Sequence, residues 1–235
     1  MPRTARSSRH QPVLPRLSSS GLAAGLILLF LSGCSGPPLQ PWHTEALTAE
    51  FTAAKAAEVR TFEGYRRLED RLFAELDKKV VAATPTGPTY TLVRYSRGSA
   101  ADPEKQDANW NRSFELPAEA PAGGVLLLHG MSDSPYSLRT LGRRLNQQGY
   151  WVIGLRLPGH GTAPSGLLDV QWEDMAAAVR LGAAHLASKV GSRPIHFVGY
   201  STGAPLALDF SLDALEGKAA PVPAGLVLIS PAIGL

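Results

Sequence analysis

The sequence is poor in cysteine, in long apolar runs and, over its first fifth, in negative charge. One cysteine in 235 residues, Cys34, cannot close an internal disulfide, which excludes a disulfide framework and a cysteine-rich zinc site. No pair of histidines stands at metal-ligand spacing with a carboxylate, so metallohydrolase chemistry is not expected, nor is any cofactor. The uncharged stretch Gly21 to Leu31 has 11 residues, about half of the roughly 20 that cross a bilayer as a helix. No carboxylate occurs among the first 44 residues, where Arg3, Arg6, Arg9 and Arg16 are the charged side chains. Subtracting those four from the 23 basic residues leaves 19 against 20 acidic ones, a net of −1. The formal charge of +3 therefore belongs to the leading segment, and the remainder gives no electrostatic reason to bind nucleic acid. With 44% apolar and 18% charged residues the chain otherwise has the profile of a medium-sized globular domain.

A basic start, a short apolar stretch and then small residues is the layout of a secretory signal peptide. Leu31-Ser32-Gly33-Cys34 resembles the lipobox of bacterial lipoproteins, in which the cysteine is acylated and becomes the mature N-terminus. That resemblance implies a signal peptide over 1–33, lipidation at Cys34 and a tether over 34–43. It places the protein in the bacterial cell envelope, and Ser35 resembles the form sorted to the outer membrane, facing the periplasm.

Residues 44–84 are rich in Ala, Glu, Lys and Arg, with Phe62, Tyr65, Leu68, Leu72, Leu76 and Val80 at spacings of three and four. The pattern predicts one long amphipathic helix packed on the domain. Thr84-Pro85-Thr86-Gly87-Pro88 ends it. Thr89 to Tyr95 alternates as a strand, with Trp110 to Leu116 returning beside it. From Gly123 onward short apolar runs (125–128, 151–155, 195–198, 226–229) alternate with helical patterns (135–148, 170–189, 203–215). Such alternation predicts an α/β fold: a mostly parallel sheet with helices on both faces, spanning 89–235.

Gly199-Tyr200-Ser201-Thr202-Gly203 stands where one of these strands hands over to a helix. A serine hydroxyl is a poor nucleophile unless it is exposed beside a base, and a tight strand-to-helix turn exposes it. His129-Gly130-Met131 follows the first central strand, and Leu157-Pro158-Gly159-His160-Gly161 follows the next. Together these motifs resemble the α/β-hydrolase superfamily, in particular its esterases, monoacylglycerol lipases and serine aminopeptidase-type hydrolases. The resemblance implies Ser201 as nucleophile and the backbone N–H groups of Met131 and Thr202 as oxyanion hole. It implies a small acyl-ester substrate. His129 and His160 read as loop fasteners, and His185 and His196 as structural.

In that superfamily an Asp or Glu and then a His follow the serine. Here only Asp209, Asp213 and Glu216 follow Ser201, and no histidine does. A triad acts as a unit, so loss of its base costs on the order of 10⁶ in turnover. The expectation is a C-terminally incomplete hydrolase, close to inert as it stands, with the superfamily's last strands missing. The rival expectation is a non-catalytic envelope lipoprotein that uses the same scaffold for binding.

Overall fold

A computed structural model describes residues 38–233. The leader, the lipobox and Cys34 lie outside the described residues. Five strands form one sheet in the order β1-β3-β2-β4-β5: β1 Phe114–Leu116, β2 Gly123–Leu128, β3 Tyr150–Leu155, β4 Ile195–Tyr200 and β5 Gly225–Ile229. Only β1 runs antiparallel, against β3; the β2, β3, β4 and β5 pairings are parallel. A parallel pair needs a crossover, and the 3.6-residue patterns read above supply them. Helix α2, Arg139–Gln147, joins β2 to β3; α3, Trp172–Val190, joins β3 to β4; α4, Gly203–Leu215, joins β4 to β5. A further helix, α1, Phe62–Leu76, precedes the sheet.

The alternation within β2 sorts the two faces. Val125 and Leu127 pack with Phe114, Val152 and Leu138 on the side of α2, whereas Leu126 and Leu128 pack with Phe62, Tyr65, Met175 and Leu206 on the side of α1, α3 and α4. Every residue of β2 is buried, as a strand covered on both faces must be.

Two expectations need correction. The helix predicted over 44–84 begins only at Phe62, where Thr61 caps it by accepting from the Gly64 N–H at 3.0 Å, and it closes with a π-helical turn at Asp77–Val81. Residues 45–61 instead run as an irregular strap with one 3-10 turn. Their backbone is claimed by carboxylates from elsewhere: Glu75 accepts from the Ala49 N–H and Asp174 from the Ala53 N–H. Thr89 to Tyr95 is not a strand. It forms successive i,i+3 turns (Tyr90 to Gly87, Val93 to Tyr90, Ser96 to Val93), leaving Leu92 80% exposed. Its partner expectation falls too, since β1 pairs with β3.

The run 226–229, which reads as a strand covered on both sides, forms β5, one of the two outer strands among the described residues, with Val227 52% exposed.

Candidate active site

Helix α2 leaves β2 toward one face of the sheet, and α4 leaves β4 toward the other. The adjacent strands β2 and β4 thus form a topological switch point, where the loops diverge and open a crevice at the carboxyl ends. Leu128 is level with Gly199 across this pair, which sets His129-Gly130-Met131 beside Tyr200-Ser201-Thr202. A Cβ built on Gly130 would lie 3.1 Å from the Ser201 Cβ.

Ser201 has φ 50°, a left-handed backbone that costs an L-residue about 1–2 kcal/mol. The turn is held from both sides. The Ser201 N–H donates to the Ile229 carbonyl at 2.9 Å, and the Ser201 carbonyl accepts from the N–H groups of Ala204 at 3.1 Å and Ala232 at 3.3 Å. The flanking glycines are steric necessities. A Cβ at Gly199 would lie 2.4 Å from the Gly203 carbonyl oxygen, and one at Gly203 would lie 2.2 Å from that of Leu128. Strand and helix can approach this closely only without side chains there.

The loop after β2 is fastened by His129, which is wholly buried. Its Nε2 accepts the Leu157 N–H at 3.0 Å, so its Nδ1 carries the proton and donates to the Gly130 carbonyl at 2.9 Å. Burial, and then the neighbouring His160 ring, push the imidazole down to about 3, so it stays neutral. In a trans peptide the carbonyl and the next N–H point in opposite directions, so gripping the Gly130 carbonyl turns the Met131 N–H away from the imidazole. Among the described residues neither the Met131 nor the Thr202 amide N–H has a hydrogen-bond partner. Both belong to residues that are not buried.

His160 packs its ring 5.2 Å from that of His129 and bonds the Pro158 carbonyl through Nδ1 at 2.8 Å; burial lowers its pKa. Neither histidine hydrogen-bonds Ser201, and no other histidine among the described residues does. The three carboxylates after the serine stand on α4 or just past its end, where Asp213 pairs with Arg180 and Glu216 with Lys218. Among the described residues no group of three His, Cys, Asp or Glu side chains could hold a metal ion, and no helix is long and apolar enough to cross a membrane.

What the sequence reading missed is Arg156, wholly buried at the end of β3. Its guanidinium donates to both oxygens of Glu50 at 2.8 and 2.9 Å and to Glu69 at 2.9 Å, and it also bonds the His160 carbonyl at 3.0 Å. Glu50 in turn accepts the Gly159 N–H at 2.9 Å, so the 157–161 turn is pinned by the strap. Burial alone would raise the Glu50 carboxyl, but Arg156 outweighs it and holds it below the ordinary value. Glu69 is deeper, and there burial wins and raises it. The signal for this cluster was a lone charge between Leu155 and Leu157 in an apolar run, which demands a buried partner.

Residues 119–235 match the family model described as "Serine aminopeptidase, S33". This segment belongs to the α/β-hydrolase superfamily. Two curated relatives are similar to it: a thermostable monoacylglycerol lipase of Bacillus sp. (strain H-257), 36% identical over 39% of this chain and 36% of its own length, and a carboxylesterase of Bacillus subtilis (strain 168), 37% identical over 36% of this chain and 34% of its own. The chain thus spans about a third of the length of each. A solved structure reported with the metagenome-derived lipolytic enzymes LipS and LipT aligns with a TM-score of 0.44 at 24% identity, over 52% of this chain and 46% of the other. The α/β-hydrolase match begins just before β2, so α1, the strap and β1 lie outside it.

Proposed function

We propose that the protein is a lipid-anchored serine hydrolase acting on small carboxylic esters, with Ser201 as nucleophile. The observation that carries this reading is the pairing, at the switch point, of a strained serine elbow with two partnerless amide N–H groups, those of Met131 and Thr202. Ser201 Oγ attacks the ester carbonyl carbon, the two amides receive the oxyanion, the alcohol leaves, and water then releases the acyl group. The base that takes the serine proton is assigned to none of the described residues. The similarity to a monoacylglycerol lipase and a carboxylesterase supports an ester rather than a peptide substrate.

The anchor is Cys34, supported by its place directly after the short apolar stretch and Gly33. Multiple acyl chains on that residue would give stable attachment, which a single chain does not. The protein would then face the periplasm from the outer membrane.

A fluorophosphonate probe tests the site without requiring turnover: the serine oxygen displaces fluoride at phosphorus. Wild type labels at Ser201 and Ser201→Ala does not. Equal labelling of both sinks the nucleophile, and no labelling in a wild type that is folded by circular dichroism favours the binding-scaffold reading for the 235-residue chain. For the anchor, Cys34→Ser moves the protein from the membrane fraction to the soluble one under a high-salt wash, which strips charge-held protein; a chain that stays membrane-bound through that wash refutes lipidation there.

A further inference from the structure

The outward face of α1 carries a cationic excess that neither the fold nor the proposed chemistry uses. Arg66, Arg67, Arg71 and Lys78 are exposed on this helix and its terminal turn, over a length of about 18 Å. Among the described residues none of the four has an ion-pair partner. Three acidic residues of the same element are already paired, Asp70 with Arg112, Asp77 with Arg97 and Glu75 with Lys79, and Glu63 stands 3.2 Å from the His185 ring. Lys189, at the end of α3, adds to the same field, and Glu63 feels it together with Arg67 and His185. The four basic side chains are therefore left to solvent while Asp70, Glu75 and Asp77 are paired. This is the reverse of the ordinary exposed helix, where i,i+4 partners cancel one another.

We infer that this face of α1 docks on an anionic lipid surface through Arg66, Arg67, Arg71 and Lys78. A lipid bilayer is favoured over other polyanions because the Cys34 reading puts the chain at a membrane; the choice of partner, though not the charge of the patch, rests on that reading. Docked this way, the patch would hold the domain close to the membrane surface instead of letting it swing on its tether.

The test uses the full chain carrying Cys34→Ser, so that acylation plays no part and the arginines of the leader are the same in every sample. Binding to vesicles of phosphatidylcholine mixed with phosphatidylglycerol is compared with binding to phosphatidylcholine alone. Each basic residue near such a surface contributes about five-fold in affinity, so the charge reversals Arg67→Glu, Arg71→Glu and Lys78→Glu together, which remove three such contributions and add three repelling charges, should weaken binding to the anionic vesicles by at least about a hundred-fold. The charge-conserving set Arg67→Lys, Arg71→Lys and Lys78→Arg should bind as the parent does, and high salt should abolish the preference. Circular dichroism confirms that α1 survives, since all three side chains are exposed. Undiminished binding after reversal overturns the inference, as does tighter binding to a DNA duplex than to the anionic vesicles. Loss of Cys34 acylation in cells would refute only the anchor, because these measurements never use it.

Discussion

Replacing Arg156 with methionine is the sharpest perturbation of the scaffold beneath the site. The methionine side chain reproduces the apolar stem of the arginine and suits the apolar surroundings, but it withdraws the guanidinium from two carboxylates. Glu50 is 18% exposed and can turn toward water; Glu69 is 2% exposed and cannot. Glu69 would keep only the Ser113 N–H at 3.2 Å and hydroxyl at 2.8 Å. Removing one partner of a buried ion pair costs about 3–5 kcal/mol, a large share of the 5–15 kcal/mol that holds a typical domain together. For a domain of this size that lowers the melting temperature by roughly 6–20 °C. The cost should depend on pH. Glu69 already sits above its ordinary value because of burial, and without Arg156 it is raised further. A carboxyl with a raised folded-state pKa contributes stability at low pH that is lost as pH rises through that value, so the variant suffers more at pH 8 than at pH 5. Adding Glu69→Gln should return at least about 1 kcal/mol, because it removes the stranded charge. Urea unfolding followed by tryptophan fluorescence and far-UV circular dichroism measures the wild type, the single variant and the double variant. A loss under about 1 kcal/mol, or one that neither pH nor Glu69→Gln changes, would refute the reasoning.

The remaining predictions concern the elbow and the strap. Gly203→Ala should cost about 3 kcal/mol or more, since its Cβ meets the carbonyl oxygens of Leu128 at 2.2 Å and His129 at 2.7 Å, backbone atoms that cannot step aside. Thermal melting checks this, and an unchanged melting temperature would show that α4 can slide. Glu50 lies below its ordinary value, so its contribution is present at neutral pH and lost as pH falls through and below the normal carboxylate range. Protection against hydrogen exchange, corrected for the intrinsic rate at each pH, should fall in acid at the Gly159 and Phe51 amides, which Glu50 accepts, before it falls at the β2 amides, and Glu50→Gln should reproduce the effect at neutral pH. Uniform exchange along the chain would contradict the strap's local release.

The parallel sheet was legible because its strands are short, apolar and punctuated, and each following helix carries a 3.6-residue pattern; β2, β3 and β4 fall within two residues of the runs that announce them. The elbow was legible because Gly199 and Gly203 are forced by backbone contact, which leaves a mark in composition. Residues 45–61 were not, because alanine, glutamate and lysine favour a helix wherever nothing else claims the backbone, and here Glu75 and Asp174 claim it from 26 and 121 residues away. Thr89 to Tyr95 failed for a related reason: its alternation reflects Tyr95 reaching the Thr162 carbonyl and Arg94 the Gly161 carbonyl from a run of turns, not a pleated strand. Tertiary bonds of this kind have no local periodicity.

The Arg156 cluster also decides where the domain can be cut. The superfamily match starts at residue 119, yet the face of β2 carrying Leu126 and Leu128 is covered in part by Phe51, Phe62, Tyr65 and Leu68, and two of the acceptors of Arg156 come from Glu50 and Glu69. A recombinant fragment begun at the match boundary would expose that apolar face and strand a buried cation. The boundary of homology and the boundary of folding are separated here by some eighty residues, so any expression fragment of this protein must start upstream of the strap, at Leu39 or earlier.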